Sequence, residues 1–309
     1  NFAEKTEAMT ALSSAAYRGH VPIVRKLIAA KADVNKAAWE GNTPLFLAAA
    51  AGFVQVVHVL VAASADLDKA TDDGCTPLFV AVLHGHLKVV EALIAAAADL
   101  NKDRTASCVT PLYLASQLGH VQIVRALLAA GCDVNKADIK GSTPIYKAVV
   151  DGHLEVVNAL IAAGADVDEA NSADGAAPLH VAAQKSPQFV QALVKAGADV
   201  DKANLNGVTP LHCAAFAGDL AVVRALVAAG ADVTMLPRLR AIPLFVAATL
   251  GLLDFFPLLP PELASNGADH HSVSKFLVNI KCRNENRGDI ECPLLHATLA
   301  IPAEAVRVF

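Results

Sequence analysis

Four histidines, His20, His86, His120 and His153, each follow a glycine and recur at wide intervals along the chain. Imidazoles ordered this way suggest a metal ladder, because histidine nitrogens bind zinc at about 2.0–2.1 Å. A second set, His270, His271, Cys282, Cys292 and His296, supplies enough nitrogen and sulfur donors for one zinc ion. Seven carboxylates, Asp33, Asp66, Asp99, Asp133, Asp166, Asp199 and Asp232, recur as regularly and would have to be weighed as acids or bases. Arg287–Gly288–Asp289 matches the integrin tripeptide within a charged turn. The chain has no phosphate-cradling glycine loop, no H-E-x-x-H helix and no nucleophile elbow.

The elements that must position these groups are written as copies. GSTPIYKAVVDGHLEVVNALIAAGADV at 141–167 returns as GVTPLHCAAFAGDLAVVRALVAAGADV at 207–233. The proline of each copy falls at Pro44, Pro77, Pro111, Pro144, Pro178, Pro210 and Pro243, at intervals of 33, 34, 33, 34, 32 and 33. Copies start near residues 10, 43, 76, 110, 143, 177, 209, 242 and 292, within a single domain spanning 1–309. In the copy at 143, the Thr143 hydroxyl can accept a first-turn N–H, and Pro144 has the right φ without wasting a donor. Ile145, Ala148 and Val149 share one helical face, and Gly152 stops that helix. Val156, Val157, Leu160 and Ile161 make a second apolar face, which Gly164 ends. Two helices this short do not persist alone in water, so each pair must bury itself against the next.

A period near 33 with a T-P-L-H-x-A signature is the mark of ankyrin repeats, and this chain resembles that family over nearly all its length. The resemblance implies an all-α fold, a solenoid of helix–turn–helix–hairpin repeats in a curved, elongated stack. ADVDEANSADG would then be a projecting hairpin finger. The histidine after the helix-stopping glycine would bond neighbouring loop backbone. Equivalent histidines lie on helices about 8–10 Å apart, too far to share a metal. The repeating aspartates would be turn carboxylates bonded to local backbone. In ankyrin proteins, asparagines placed like Asn35, Asn101 and Asn135 can be hydroxylated.

Departures from the pattern carry their own expectations. Lys31, Ser64 and Ala97 stand where Gly131, Gly164, Gly197, Gly230 and Gly267 end other copies, and a left-handed backbone there costs about 1 kcal/mol. In the sixth copy Ala177 replaces the capping threonine and Ser186–Pro187 replace Gly–His, which makes residues 176–194 an expected soft point. Pro243 and Pro293 are 50 residues apart, so 252–291 reads as a divergent repeat with an enlarged finger loop, FLVNIKC a strand and RNENRGD a turn. Cys292 occupies the threonine cap slot and His296 a first-helix position, which argues against zinc and for an expectation of no metal and no cofactor. The terminal PAEAVRVF resembles the start of an outer helix, so the chain is expected to be a monomeric fragment of a longer protein.

Composition narrows the classes of partner. The chain is 54% hydrophobic and only 5% aromatic, which places its apolar content in Ala, Leu and Val and excludes disorder. A net charge of −5, spread without a basic block, offers nothing to nucleic acid. The apolar stretches 44–67 and 242–260 contain Gln55, His58, Asp254 and prolines, so no membrane span is expected. NFAEKTEAMT has no apolar leader core. Cys75, Cys108, Cys132 and Cys213 fall in different copies without a C-x-x-C pair and read as reduced thiols. The expected location is cytoplasmic or nuclear.

Positions that vary between copies are free for recognition. The finger tip lies five residues before each proline, at Trp39, Asp72, Ala106, Ile139, Ala173, Leu205 and Arg238. Trp39, the sole tryptophan, is expected to face solvent from such a tip. Ankyrin proteins bind with these tips and with the concave end of the first helix. That end carries Tyr17–Arg18, Ala50–Ala51, Leu83–His84, Gln117–Leu118, Val150–Asp151, Gln184–Lys185, Phe216–Ala217 and Thr249–Leu250. The candidate contacts are Trp39, Asp72, Leu83, His84, Gln117, Leu118, Ile139, Val150, Asp151, Gln184, Leu205 and Phe216. A ring column after each T-P-L (Phe46, Phe79, Tyr113, Tyr146, His180, His212, Phe245) reads as core filling that trades the histidine's loop contact for buried area. The expected function is a non-catalytic scaffold or adaptor for another protein. The alternative is the targeting arm of a larger enzyme, channel or ubiquitin-ligase adaptor.

Overall fold

A threonine hydroxyl followed by proline opens one helix after another. Thr43, Thr76, Thr110 and Thr143 accept from the backbone N–H three residues on, at 3.1, 3.1, 3.1 and 3.3 Å. The computed structural model describes residues 9–104 and 107–233. Within them run fourteen α-helices in seven pairs: α1 Ala11–Tyr17 and α2 Val21–Ala29, α3 Pro44–Ala50 and α4 Val54–Ala62, α5 Pro77–Leu83 and α6 Leu87–Ala95, α7 Pro111–Leu118 and α8 Val121–Ala129, α9 Pro144–Asp151 and α10 Leu154–Ala162, α11 Pro178–Ala182 and α12 Pro187–Lys195, α13 Pro210–Ala217 and α14 Leu220–Ala228. Each pair packs internally, each first helix packs on the first helices of its neighbours, and each second helix does likewise. That connectivity is a one-dimensional stack in which only nearest neighbours share surface.

The core repeats with the sequence. Leu12, Leu45, Leu78, Leu112, Ile145, Leu179 and Leu211, each following the proline slot, are 0–2% exposed. Leu60, Leu93, Leu127, Leu160, Leu193 and Leu226 are fully buried in the second helices. Burying each such side chain contributes about 1.5–3 kcal/mol, so the seam of the stack carries the array. Of the residues assigned to the two apolar faces of the copy at 143, Ile161 alone is only partly buried. No helix among the described residues is long and apolar enough to cross a membrane, and Gly52 with Phe53 breaks the apolar stretch 44–67 into α3 and α4.

The sixth copy differs as its sequence does. Helix α11 has 5 residues, against 7 or 8 in the other first helices. Without the threonine hydroxyl, the His180 N–H bonds only the Ala177 carbonyl, at 3.0 Å, while His180 Nδ1 accepts from the Ala177 N–H at 3.1 Å, a contact His212 also makes with Thr209. The copies near 242 and 292, the 252–291 insertion, Gly267, the five candidate zinc ligands, Arg287–Gly288–Asp289, Ala106, Arg238 and Phe245 lie outside the described residues.

Candidate functional site

Two of the four histidines that follow helix-stopping glycines, His86 and His153, are bonded to backbone. His86 Nε2 lies 3.1 Å from the Ala50 carbonyl oxygen and His153 Nε2 3.0 Å from that of Gln117, so each ring ties its second helix to the end of the preceding first helix. Burial, with the neighbouring His153, holds His120 below the ordinary imidazole value. The aspartates also work locally. Asp33, Asp66, Asp99, Asp133, Asp166 and Asp199 each accept from the N–H two residues on, at 2.8–3.0 Å.

A ladder that sequence reasoning missed starts at that second residue. Asn35, Asp68, Asn101, Asn135 and Asp201 side chains each accept from the repeating aspartate's N–H one copy on, at 2.8–2.9 Å, and Asp168 accepts from Asp199 at 3.1 Å. Lys69, Lys102 and Lys136 ammonium groups reach back to the carbonyls of Asn35, Asp68 and Asn101 at 2.7–2.9 Å. The signal was available, because an Asn or Asp recurs at this slot in six successive copies.

These rungs hold the finger bases, and backbone bonds hold the tips. The Asp72, Ile139, Ser172 and Leu205 N–H groups donate to Glu40, Ser107, Lys140 and Asp174 carbonyls of the preceding finger, at 3.0, 3.1, 2.9 and 2.9 Å. The ring column contributes too. Tyr113 donates its hydroxyl to Asp138 at 2.9 Å, Asn171 donates to the Tyr146 hydroxyl at 2.8 Å, and His180 Nε2 is 2.9 Å from the Val208 carbonyl. The expected trade of polar contact for ring area therefore fails at Tyr113 and Tyr146. Their hydroxyls keep a finger contact while the rings sit in the wall, and burial raises both phenols above their usual range. Burial also pushes the Cys75 and Cys132 thiols up to about 11, and lowers His180.

The proposed contact residues separate into three groups. Ile139 at 68% exposed, Leu205 at 62% and Phe216 at 81% are the most open to water, with Leu205 resting against Gly175 of the preceding finger, while Leu83 at 44% and Leu118 at 38% emerge at the ends of α5 and α7. Asp72, His84, Asp151 and Gln184 are exposed polar neighbours, with Asp151 paired to Lys147 at 3.1 Å. Trp39, Gln117 and Val150 are half-buried. For Trp39 this corrects the expectation of a solvent-facing ring. Its tip closes into a short 3-10 turn, with Asn42 donating twice to the Trp39 carbonyl, at 2.7 and 3.1 Å. The second finger lies close against it, so a Cβ on Gly41 would stand 2.9 Å from the Asp72 nitrogen.

Paired helices, fingers and inter-copy rungs define a helical-repeat solenoid presenting one ridge of tips and helix ends. A family profile described as "Ankyrin repeats (3 copies)" matches residues 12–104, 101–171 and 164–236, and the chain belongs to the ankyrin-repeat family. Among solved structures it is similar to the human ASB11 ankyrin repeat domain, at 26% identity and a TM-score of 0.61, over 72% of this chain and 99% of that one. It is also similar to the ankyrin repeat domain of Bcl-3, a member of the IkappaB protein family, at 28% identity and a TM-score of 0.65, over 71% and 98%. None of the curated proteins matches it in sequence. Ankyrin repeats are in general protein–protein interaction modules.

Proposed function

We propose that this chain is a non-catalytic scaffold or adaptor that holds a partner polypeptide against its finger tips and first-helix ends. One observation supports the reading most: the large apolar side chains left exposed are unevenly distributed. Tyr17, Leu83, Leu118, Ile139, Leu205 and Phe216 all belong to tips or first-helix ends. Only Ile23, on α2, and Phe53, at the start of α4, lie elsewhere among the described residues. Large apolar groups held in water on one ridge are what a partner covers. Apolar anchors within a polar rim, here Asp72, His84, Asp151 and Gln184, are the anatomy of a protein interface.

The test compares partner capture by Ile139→Asp, Leu205→Asp and Phe216→Asp with capture by Ile23→Asp. The three ridge variants should lose at least about tenfold in capture while melting like the parent, since surface changes of this kind shift stability by about 0.5 kcal/mol or less. Ile23→Asp should capture normally. Loss with Ile23→Asp alone would move the site to the other side of the stack.

A further inference from the structure

Five non-glycine residues hold a left-handed backbone: Lys31 (φ 60), Glu40 (φ 55), Ser64 (φ 61), Ala97 (φ 65) and Cys108 (φ 54). All lie between 31 and 108, and among the described residues beyond 108 every positive φ belongs to glycine. The fold does not impose this difference. Gly131, Gly164, Gly197 and Gly230 fill the slot of Lys31, Ser64 and Ala97 with φ of 82 to 92. Gly141, Gly175 and Gly207 fill the slot of Cys108. Nor does packing reward the side chains, because a Cβ on any of those four helix-end glycines would meet nothing within 4 Å. Lys31, Ser64 and Ala97 are themselves exposed.

Strain in a stack is shared only with adjacent repeats, so strain confined to three consecutive copies lowers their stability as a block. We propose that residues 11–108 form a compliant arm that opens as a unit ahead of residues 110–167. The arm carries Trp39, Asp72, Leu83 and His84, while Gln117, Leu118, Ile139, Val150 and Asp151 belong to the firmer segment. If the binding reading above holds, a partner spanning both segments closes the arm as it binds, and its apparent affinity scales with the closed fraction.

Native-state amide exchange of the whole chain, without any partner, tests this separately from that reading. Helical amides in 11–104 should exchange through a common opening at least about tenfold more populated than that of 111–162. Lys31→Gly, Ser64→Gly, Ala97→Gly and Cys108→Gly should each slow exchange in the arm roughly fivefold, leaving 111–162 unchanged. Conversely, Gly131→Ala with Gly164→Ala should speed exchange in 111–162. Equal protection of the two segments would overturn the proposal, as would glycine substitutions that protect both equally. Loss of the ridge as a binding surface would leave it standing.

Discussion

Two glycines with nearly the same backbone should respond very differently to one added methyl group. Gly119 has φ +71 and Gly164 φ +83, so alanine at either is forced into the left-handed region. That costs about 1–2 kcal/mol, offset by the entropy glycine loses on folding, for a net of about 1 kcal/mol at Gly164. A Cβ at Gly164 would meet nothing within 4 Å, and the penalty stops there. A Cβ at Gly119 would stand 2.6 Å from His153 Nδ1 and 2.7 Å from Cε1. The ring must move, and its bond to the Gln117 carbonyl at 3.0 Å goes with it. A lost half-buried hydrogen bond and disturbed packing add about 1 kcal/mol each, for a total of about 3 kcal/mol. Urea unfolding of Gly119→Ala, Gly164→Ala, His153→Ala and the double variant Gly119→Ala/His153→Ala measures this. Without the ring, the alanine at 119 should cost about what it costs at 164, a coupling of about 1–2 kcal/mol. Equal costs for the two single glycine variants, or additive behaviour of the pair, would refute the argument.

Other outcomes follow from the same contacts. Tyr113→Phe, which removes the hydroxyl bonded to Asp138 at 2.9 Å, should cost about 1 kcal/mol in urea unfolding, and no loss would deny that bond a role. Burial holds His120 and His180 below the ordinary value of 6.5, so the unfolded chain takes up these protons first. Their contribution is complete above pH 6.5 and is lost as pH falls below it; a melting temperature that rises from pH 7 to pH 5.5 would contradict this. Residues 176–194 should exchange amides roughly tenfold faster than 143–163, because a lost threonine cap is worth about 0.5–2 kcal/mol, and equal rates would refute the soft point.

Most of the scaffold is legible in the text because its determinants are local and periodic. Thr43, Thr76, Thr110 and Thr143 cap helices by reaching three residues forward, so neighbours in sequence suffice to foresee them. Lys31, Ser64 and Ala97 could be placed in the left-handed region because glycine occupies their slot in later copies. Cys108 offered the same clue in the finger slot and was missed; Glu40 offered none, since among the described residues its tight 3-10 tip belongs to the first finger alone. The ridge was harder to read. Trp39 and Ile139 occupy the same slot, yet one is half-buried and the other 68% exposed. That difference comes from surroundings that the slot itself does not encode. Likewise, the Tyr113 hydroxyl finds Asp138 only through the register of one repeat on the next.

A photo-crosslinking amino acid placed at Leu205 or Phe216, and in parallel at the exposed outer-helix positions Arg25 and Asn158, tests the central claim most directly. The account predicts that both ridge positions crosslink to the same polypeptide from cell extract and that the two outer-helix positions do not. Crosslinks from Arg25 or Asn158 to that polypeptide, with none from Leu205 or Phe216, would contradict it.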